Sequence, residues 1–217
     1  MLKTFLYDGW GSGKKLKISG EGYLHSVVHP HPPKNEVDTL LPLREYLTLN
    51  GDGTTTDMRV DGSTNEQIFT IKASKNQGED GEKRDRYIAR MSFVIADAGA
   101  TLNDFGNIGA LTNGVEVRWV TNTFGTVTIA EGLKTNFDFI RFGGGTPMIG
   151  SGTDAFRANN VSGTSEAYLP YIDFDEVFGI QWGFRLRHGT NDRFEVIIKD
   201  DVTGVDQFDC IAYGSKF

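Results

Sequence analysis

From about residue 40 onward, apolar side chains recur at every second position. Tyr87, Ala89, Met91, Phe93 and Ile95 alternate with Arg90 and Ser92, and Val115, Val117 and Trp119 with Glu116 and Arg118. Phe178, Ile180, Trp182, Phe184 and Leu186 alternate with Gly179, Gln181, Gly183, Arg185 and Arg187. Phe194, Val196 and Ile198 alternate with Glu195 and Lys199. A period of two puts alternate side chains on opposite faces of an extended chain, so each run predicts a strand with one buried face. Weaker runs predict strands at 43–49, 56–60, 67–73, 125–130, 137–142 and 207–213.

Turn sequences punctuate these runs: "NGDGT" from 50, "VDGST" from 60, "TNG" from 112, "FGGGT" from 142 and "RHGTND" from 187. No stretch carries a 3.6-residue period, although "GATLNDFGNIGALTNG" has room for one helical turn. Residues 143–175, rich in Gly, Thr and Asn, read as a long ordered loop. About ten one-faced strands predict an all-β fold, an antiparallel β-sandwich of jelly-roll-like form, over residues 37–217.

Residues 1–36 have a different texture. Glycines at 9, 11, 13, 20 and 22 and prolines at 30, 32 and 33 interrupt short apolar pieces that suit two or three brief strands. Those pieces are too few to make a core, and proline holds the "HPHPP" run extended. The segment therefore reads as an N-terminal arm that leaves the body.

Composition agrees with this division. The 27 glycines in 217 residues exceed the usual share of about 7% and point to many turns. The 15 Phe, 7 Tyr and 3 Trp supply bulk for one sizeable core. Net charge is −7, with no basic stripe, so bare nucleic acid is not an expected partner. Residues 1–36 hold five Lys and three acids, or +2, leaving 17 basic and 26 acidic residues, or −9, for the body. A cationic arm on an anionic body can lie along its own body or a neighbouring copy. Cys210 is the single cysteine, so the fold needs no disulfide. No apolar run approaches a membrane span, and "MLKTFLYDG" is too short for an export signal, so no membrane partner is expected.

Several patterns invite a chemical reading. "GSGKKLK" resembles a phosphate loop, but Asp8 stands where a Walker glycine belongs and Lys15 follows Gly13-Lys14. The strand-like "LKISGEGYL" comes next instead of a helix, so the turn reads as structural. His29 and His31 lie two apart on an extended chain and point the same way. Around a three-fold axis such pairs would offer an octahedral set of nitrogens. No carboxylate accompanies them, and the plainer reading is exposed histidines that stiffen the arm; no cofactor is expected.

Asp173, Asp175 and Glu176, and the pair Asp200-Asp201, carry the carboxylates a glycosidase would need. Asp200-Asp201 precede a turn, where acids serve as local caps, and no loop has EF-hand spacing for calcium. Cys210 alternates in phase with Phe208 and Ala212 and reads as a small core residue. Trp119 and Trp182 are in phase with core positions. Trp10 sits among arm glycines with no local core, which suits an anchor in another subunit's pocket.

The opening "YDGWGSGKKLKISGEGYLH", then "MRVDGS", "RDRYIARMSFVIADAGATLNDFGNIGALTNG", "LKTNFDFIRF", "FRANNVSG" and "KDDVTGVDQFDCIAYG" give the chain a resemblance to virion structural proteins of tailed bacteriophages. The resemblance covers most of the chain and brings no catalytic residues. It implies a non-enzymatic particle component localised in the virion and assembled in the host cytoplasm. The form expected is a capsid cement or decoration protein, a homotrimer whose partners are the major capsid protein or other virion proteins.

In this reading the arm is a strap. Lys3, Lys14, Lys15 and Lys17 face acidic surface, and Trp10, Leu16, Ile18 and Leu24 are apolar anchors. About 35 extended residues reach roughly 110 Å, enough to cross a subunit boundary, and strand pairing with a neighbour's edge satisfies their backbone. Two alternatives stand beside it. One is a tail, baseplate or neck component. The other is a carbohydrate-binding jelly-roll module for host adsorption, with its glycan or calcium site in loop 143–175 near Thr153, Asp154, Asn159 and Asn160.

Overall fold

The structure is a computed structural model and describes residues 6–7, 15–16, 41–73, 84–143, 145–148, 165–180 and 182–216. Contacts divide the chain into two units, Met1–Thr39 and Leu40–Phe217. In the first, β1 (Leu6–Tyr7) and β2 (Lys15–Leu16) pair antiparallel, with Leu6 opposite Leu16 and Tyr7 opposite Lys15.

The second unit is built from β3 (Leu41–Tyr46), β4 (Thr48–Leu49), β5 (Gln67–Lys72), β6 (Arg86–Ala98), β7 (Val115–Thr121) and β8 (Gly125–Leu133). Then come α1 (Asn136–Gly143), β9 (Gly145–Met148), β10 (Ser165–Asp173), α2 (Phe174–Phe178), β11 (Phe184–Leu186), β12 (Arg193–Ile198) and β13 (Gln207–Lys216). One sheet runs β3-β13-β6-β10-β9, with β11 also paired to β6, and the other runs β4-β5-β12-β7-β8. Every pairing is antiparallel.

Many of these pairings are nested in sequence. β7 pairs β8, β6 pairs β10 and β11, β5 pairs β12, and β3 pairs β13. The chain thus behaves as one long hairpin, with its tip at the turn between Thr121 and Gly125, folded back so that successive lengths alternate between the sheets. The inward set of each strand meets in a common core: Phe69, Val117, Phe194 and Val196 from one sheet, Met91, Phe93, Ile95 and Phe208 from the other. This β-sandwich-like arrangement is what period-two burial on both sheets demands.

β10 and β11 lie along the same side of β6. Asp173 pairs with Arg90 and Phe184 with Ile88, so the ten residues 174–183 leave the ladder opposite Ala89 alone. Gly183 closes this excursion with φ +79°, and a Cβ there would lie 2.0 Å from the Ile88 carbonyl oxygen. Gly183→Ala is therefore expected to cost about 3 kcal/mol or more, through left-handed strain and backbone displacement together. Thermal melting should fall on the order of 10 °C; an unchanged melting temperature would mean the excursion is packed differently.

Four expectations need correction. Residues 137–142 form helix α1 rather than a strand: the Asp138 carboxylate accepts from the Thr135 N–H at 3.0 Å while the Thr135 hydroxyl accepts from the Asp138 N–H at 3.2 Å. That reciprocal cap starts a helix. The run from Phe178 to Leu186 is a strand only over Phe184–Leu186, because Asp173 caps α2 and Gly179, with φ +67°, ends it. Residues 56–60 form no strand, since the carboxylates of Asp57 and Asp61 take the N–H groups of Arg59 and Ser63 and compete with a ladder. Met58 is still fully buried there. Residues 143–175 are not one loop, as they contain β9 and β10. Pro170 hides β10 from a sequence reading; it has no N–H for the ladder and lies where pairing with β6 lapses between Tyr168 and Tyr171.

Candidate functional site

Most large apolar side chains of the body are covered, which makes the uncovered ones informative. Phe124 is 70% exposed, Phe178 42% and Val177 38%. Phe124 belongs to the β7–β8 turn and the other two to α2, so far separated parts of the sequence meet at one end of the sandwich. Trp119 links them: its ring lies 6.0 Å from Phe124 and 4.7 Å from Phe184, which is 5.9 Å from Phe178. Phe184 in turn packs on Phe174 and Phe194, 4.9 and 5.6 Å away, so the exposed rings are rooted in the core.

The footing under this end is polar. Asp192 is fully buried, and its carboxylate accepts the Asn122 N–H at 2.9 Å, the Arg187 N–H at 3.1 Å and Arg187 Nε at 2.9 Å. Burial works to raise its pKa, but the hydrogen bonds from Arg187 and Asn122 outweigh burial and hold it well below the usual carboxylate range. Three donors on one carboxylate fix the loop that follows β11 against the turn that carries Phe124. Asp85 adds a second tie, accepting the His188 N–H at 2.7 Å and Arg185 Nε at 2.7 Å. A rigidly founded, partly exposed aromatic surface is suited to packing against another molecule, because little conformational freedom is lost on contact.

Three of the carboxylates singled out by sequence, Asp173, Asp200 and Asp201, serve the fold. Asp200 accepts the N–H groups of Thr112, Asn113 and Gly114, at 3.1, 3.1 and 2.8 Å for the nearest oxygens, so it pins the "TNG" turn from across the sheet. Asp201 accepts the Thr203 N–H and hydroxyl, which lowers its pKa. Asp173 accepts from Asp175 and Glu176 at the start of α2. Cys210 is fully buried, and burial pushes its thiol well up. Among the described residues no group of three His, Cys, Asp or Glu is placed to hold a metal ion. Trp182 and Trp119 are half-buried; Trp119 is a rim residue that packs on the core and also reaches the exposed ring of Phe124.

Of the arm residues, Lys15 and Leu16 fall in β2, opposite Tyr7 and Leu6. Lys3, Trp10, Lys14, Lys17, Ile18, Leu24, His29 and His31 lie outside the described residues, as do Thr153, Asp154, Asn159 and Asn160. The exposed end itself carried one sequence signal: Phe124 interrupts the polar turn "TNTFGT", where nothing local needs a ring.

Compared with protein-family models, with curated proteins and with solved structures, the chain matches none.

Proposed function

We propose that the chain is a non-enzymatic structural protein of a tailed-bacteriophage particle, a capsid cement or decoration protein whose body is a jelly roll. The single observation that carries this reading is the nested pairing of β3 with β13, β5 with β12, β6 with β10 and β7 with β8 across two sheets. A long hairpin wrapped into a sandwich is the jelly-roll plan, which viral shell proteins and lectins share. The sequence resemblance favours the particle over the lectin. Of the acids that a glycosidase would need, Asp173, Asp200 and Asp201 are engaged as caps and loop ties, which supports a role in packing.

In this reading residues 1–36 are the strap, and Phe124, Phe178 and Val177 form a second contact, on the body, with the major capsid protein, another virion protein or a further copy in a trimer. Deletion of residues 1–36 and, separately, Phe124→Ser test the two contacts by sedimenting purified particles with each variant. The truncated protein is expected to fold, with strand-type circular dichroism, and to stay in the supernatant. Phe124→Ser is expected to weaken binding about tenfold, as loss of one aromatic anchor does. Incorporation of the truncated protein at the normal copy number would refute the strap.

A further inference from the structure

The outer face of the β3-β13-β6-β10 sheet carries a row of side chains with no evident task in the fold. Arg44 on β3 sits over the ring of Tyr213 on β13 at 6.0 Å, and Arg90 on β6 sits over the same ring at 5.9 Å and over Tyr171 on β10 at 5.2 Å. Arginine and tyrosine thus alternate across four neighbouring strands. Stacking holds each guanidinium in place while leaving its N–H groups free to donate. Arg90 is about half exposed, with Asp173 at the outer limit of an ion pair, 3.8 Å away. Arg44 is exposed and has no carboxylate partner among the described residues. Beside the row lie half-buried Val94 and Leu169 and 45%-exposed Tyr46.

Guanidinium groups lying over the tyrosines leave these rings poorly placed as platforms for sugars, whereas Arg and Tyr beside apolar groups are the anchors of protein interfaces. The protein partner needs carboxylates next to exposed apolar side chains. The chain itself presents that combination with its acids unengaged on α2, which projects Asp175 and Glu176, both exposed and without an ion pair among the described residues, directly before Val177 and Phe178. The acids near exposed Phe137 and Leu102, Asp138 and Asp104, are held by Thr135 and Thr101. The body that supplies both halves of this match is acidic overall, so the two exposed arginines of this row form a local cationic spot on an anionic surface.

We propose that α2 of one copy docks on the Arg44–Tyr213–Arg90–Tyr171 row of a second copy, with Asp175 and Glu176 paired to the two arginines and Phe178 against the apolar margin. The contact joins two different surfaces, and two closed arrangements satisfy it: a two-fold dimer in which each copy supplies both halves, and a head-to-tail ring such as a trimer. This rests on the self-association in the proposed function and names the surfaces that make it.

The test is sedimentation equilibrium of the full chain and three variants, with melting temperature as the folding check. Arg44→Glu with Arg90→Glu, and Asp175→Arg with Glu176→Arg, are each expected to weaken self-association by about thirtyfold or more, the scale of a lost charge pair at an interface. The quadruple variant carrying all four reversals restores the pairing with opposite signs and is expected to recover association. A monomeric wild-type chain, association that survives either double reversal, or failure of the quadruple variant to recover while still folded would each overturn the proposal. Particle sedimentation of the same variants separates the two claims: an Arg44→Glu, Arg90→Glu chain that binds particles as a monomer defeats this contact but leaves the particle role standing.

Discussion

Phe208→Ala is expected to lower the stability of the body by about 4 kcal/mol, within the range of buried Phe truncations. Phe208 is fully buried on β13, beside the central strand β6 of the larger sheet. Its ring meets Phe105 edge-on at 4.9 Å and lies 6.5 Å from both Phe93 and Phe139. Those three come from the 99–114 connection, β6 and α1, so the ring joins an irregular segment, a strand and a helix. Truncation leaves a void that none of them can close without moving the other two, which places the cost toward the upper part of the range. A domain of this size should lose on the order of 10 °C in melting temperature. Phe124→Ala, at an exposed position, should change it by no more than about 0.5 kcal/mol. Equal effects for the two would mean that Phe208 is not at the centre of the core.

Asp192→Asn is expected to cost about 3 kcal/mol near neutral pH, and the loss should depend on pH. The groups that meet this carboxylate are donors, namely the N–H groups of Asn122 and Arg187 and the Arg187 guanidinium. An amide turns one acceptor oxygen into a donor facing them and leaves Arg187 without its counter-charge, the costly way to break a buried pair. The folded pKa lies below the ordinary 3.8. A depressed carboxylate contributes stability above the unfolded value and loses it as pH falls through the folded one. The stability gap between wild type and Asp192→Asn should therefore be constant above about pH 5 and narrow below about pH 4. Urea denaturation at several pH values measures it, and a gap that stays constant down to pH 2 would show that the charge does not matter.

Asp97 has the opposite sign. It is buried, and burial raises its pKa in spite of the Asn107 N–H it accepts at 3.2 Å. It thus favours the folded state more when protonated. Acid titration of the whole body is the sum of both kinds, which is why the comparison with the Asp192 variant is needed to isolate one group.

The regular strands were readable because their environment is simple. β7, β12 and β13 put the predicted face into the core, and β6 does so from Met91 to Ile95. Nearer the start of β6 the phase shifts beside the irregularity at Tyr213 and Gly214, so that Ile88 is in the core and the predicted Tyr87 and Ala89 are only half-buried. Three of the four misreadings share a cause: a polar side chain or a glycine redirects the backbone while the apolar residues keep an even spacing. In "TNFDFIRF" the alternating Phe and Ile imitate a strand, yet Thr135 and Asp138 are spaced as a capping pair and were the better guide. In "DFDEVFGIQWGF" the same holds for Asp173 and Gly179 at the two ends of α2. Both signals are local and were present in the sequence.

The Arg–Tyr row has no such signal, and the aromatic end has only the ring of Phe124 in "TNTFGT". Phe124 and Phe178, or Arg44 and Arg90, are neighbours only because the long hairpin folds back on itself, and no short-range pattern encodes which lengths will meet. Asp192 is the intermediate case: an acid in "GTND" predicts a turn, but its hold on Asn122 across the sheet depends on that same folding back.

That Leu41 and Lys216 are Cα partners has a kinetic meaning. The outermost rung of the hairpin joins the most distant parts of the body, so it forms late and carries a large loop-closure entropy, and folding should start at the local β7–β8 pair and proceed outward. Because those two residues stand side by side, linking them and opening the chain at the β7–β8 turn would give a circularly permuted body in which the outer rung becomes local and the inner one distant. Its order of assembly should then run in reverse while the final architecture stays the same.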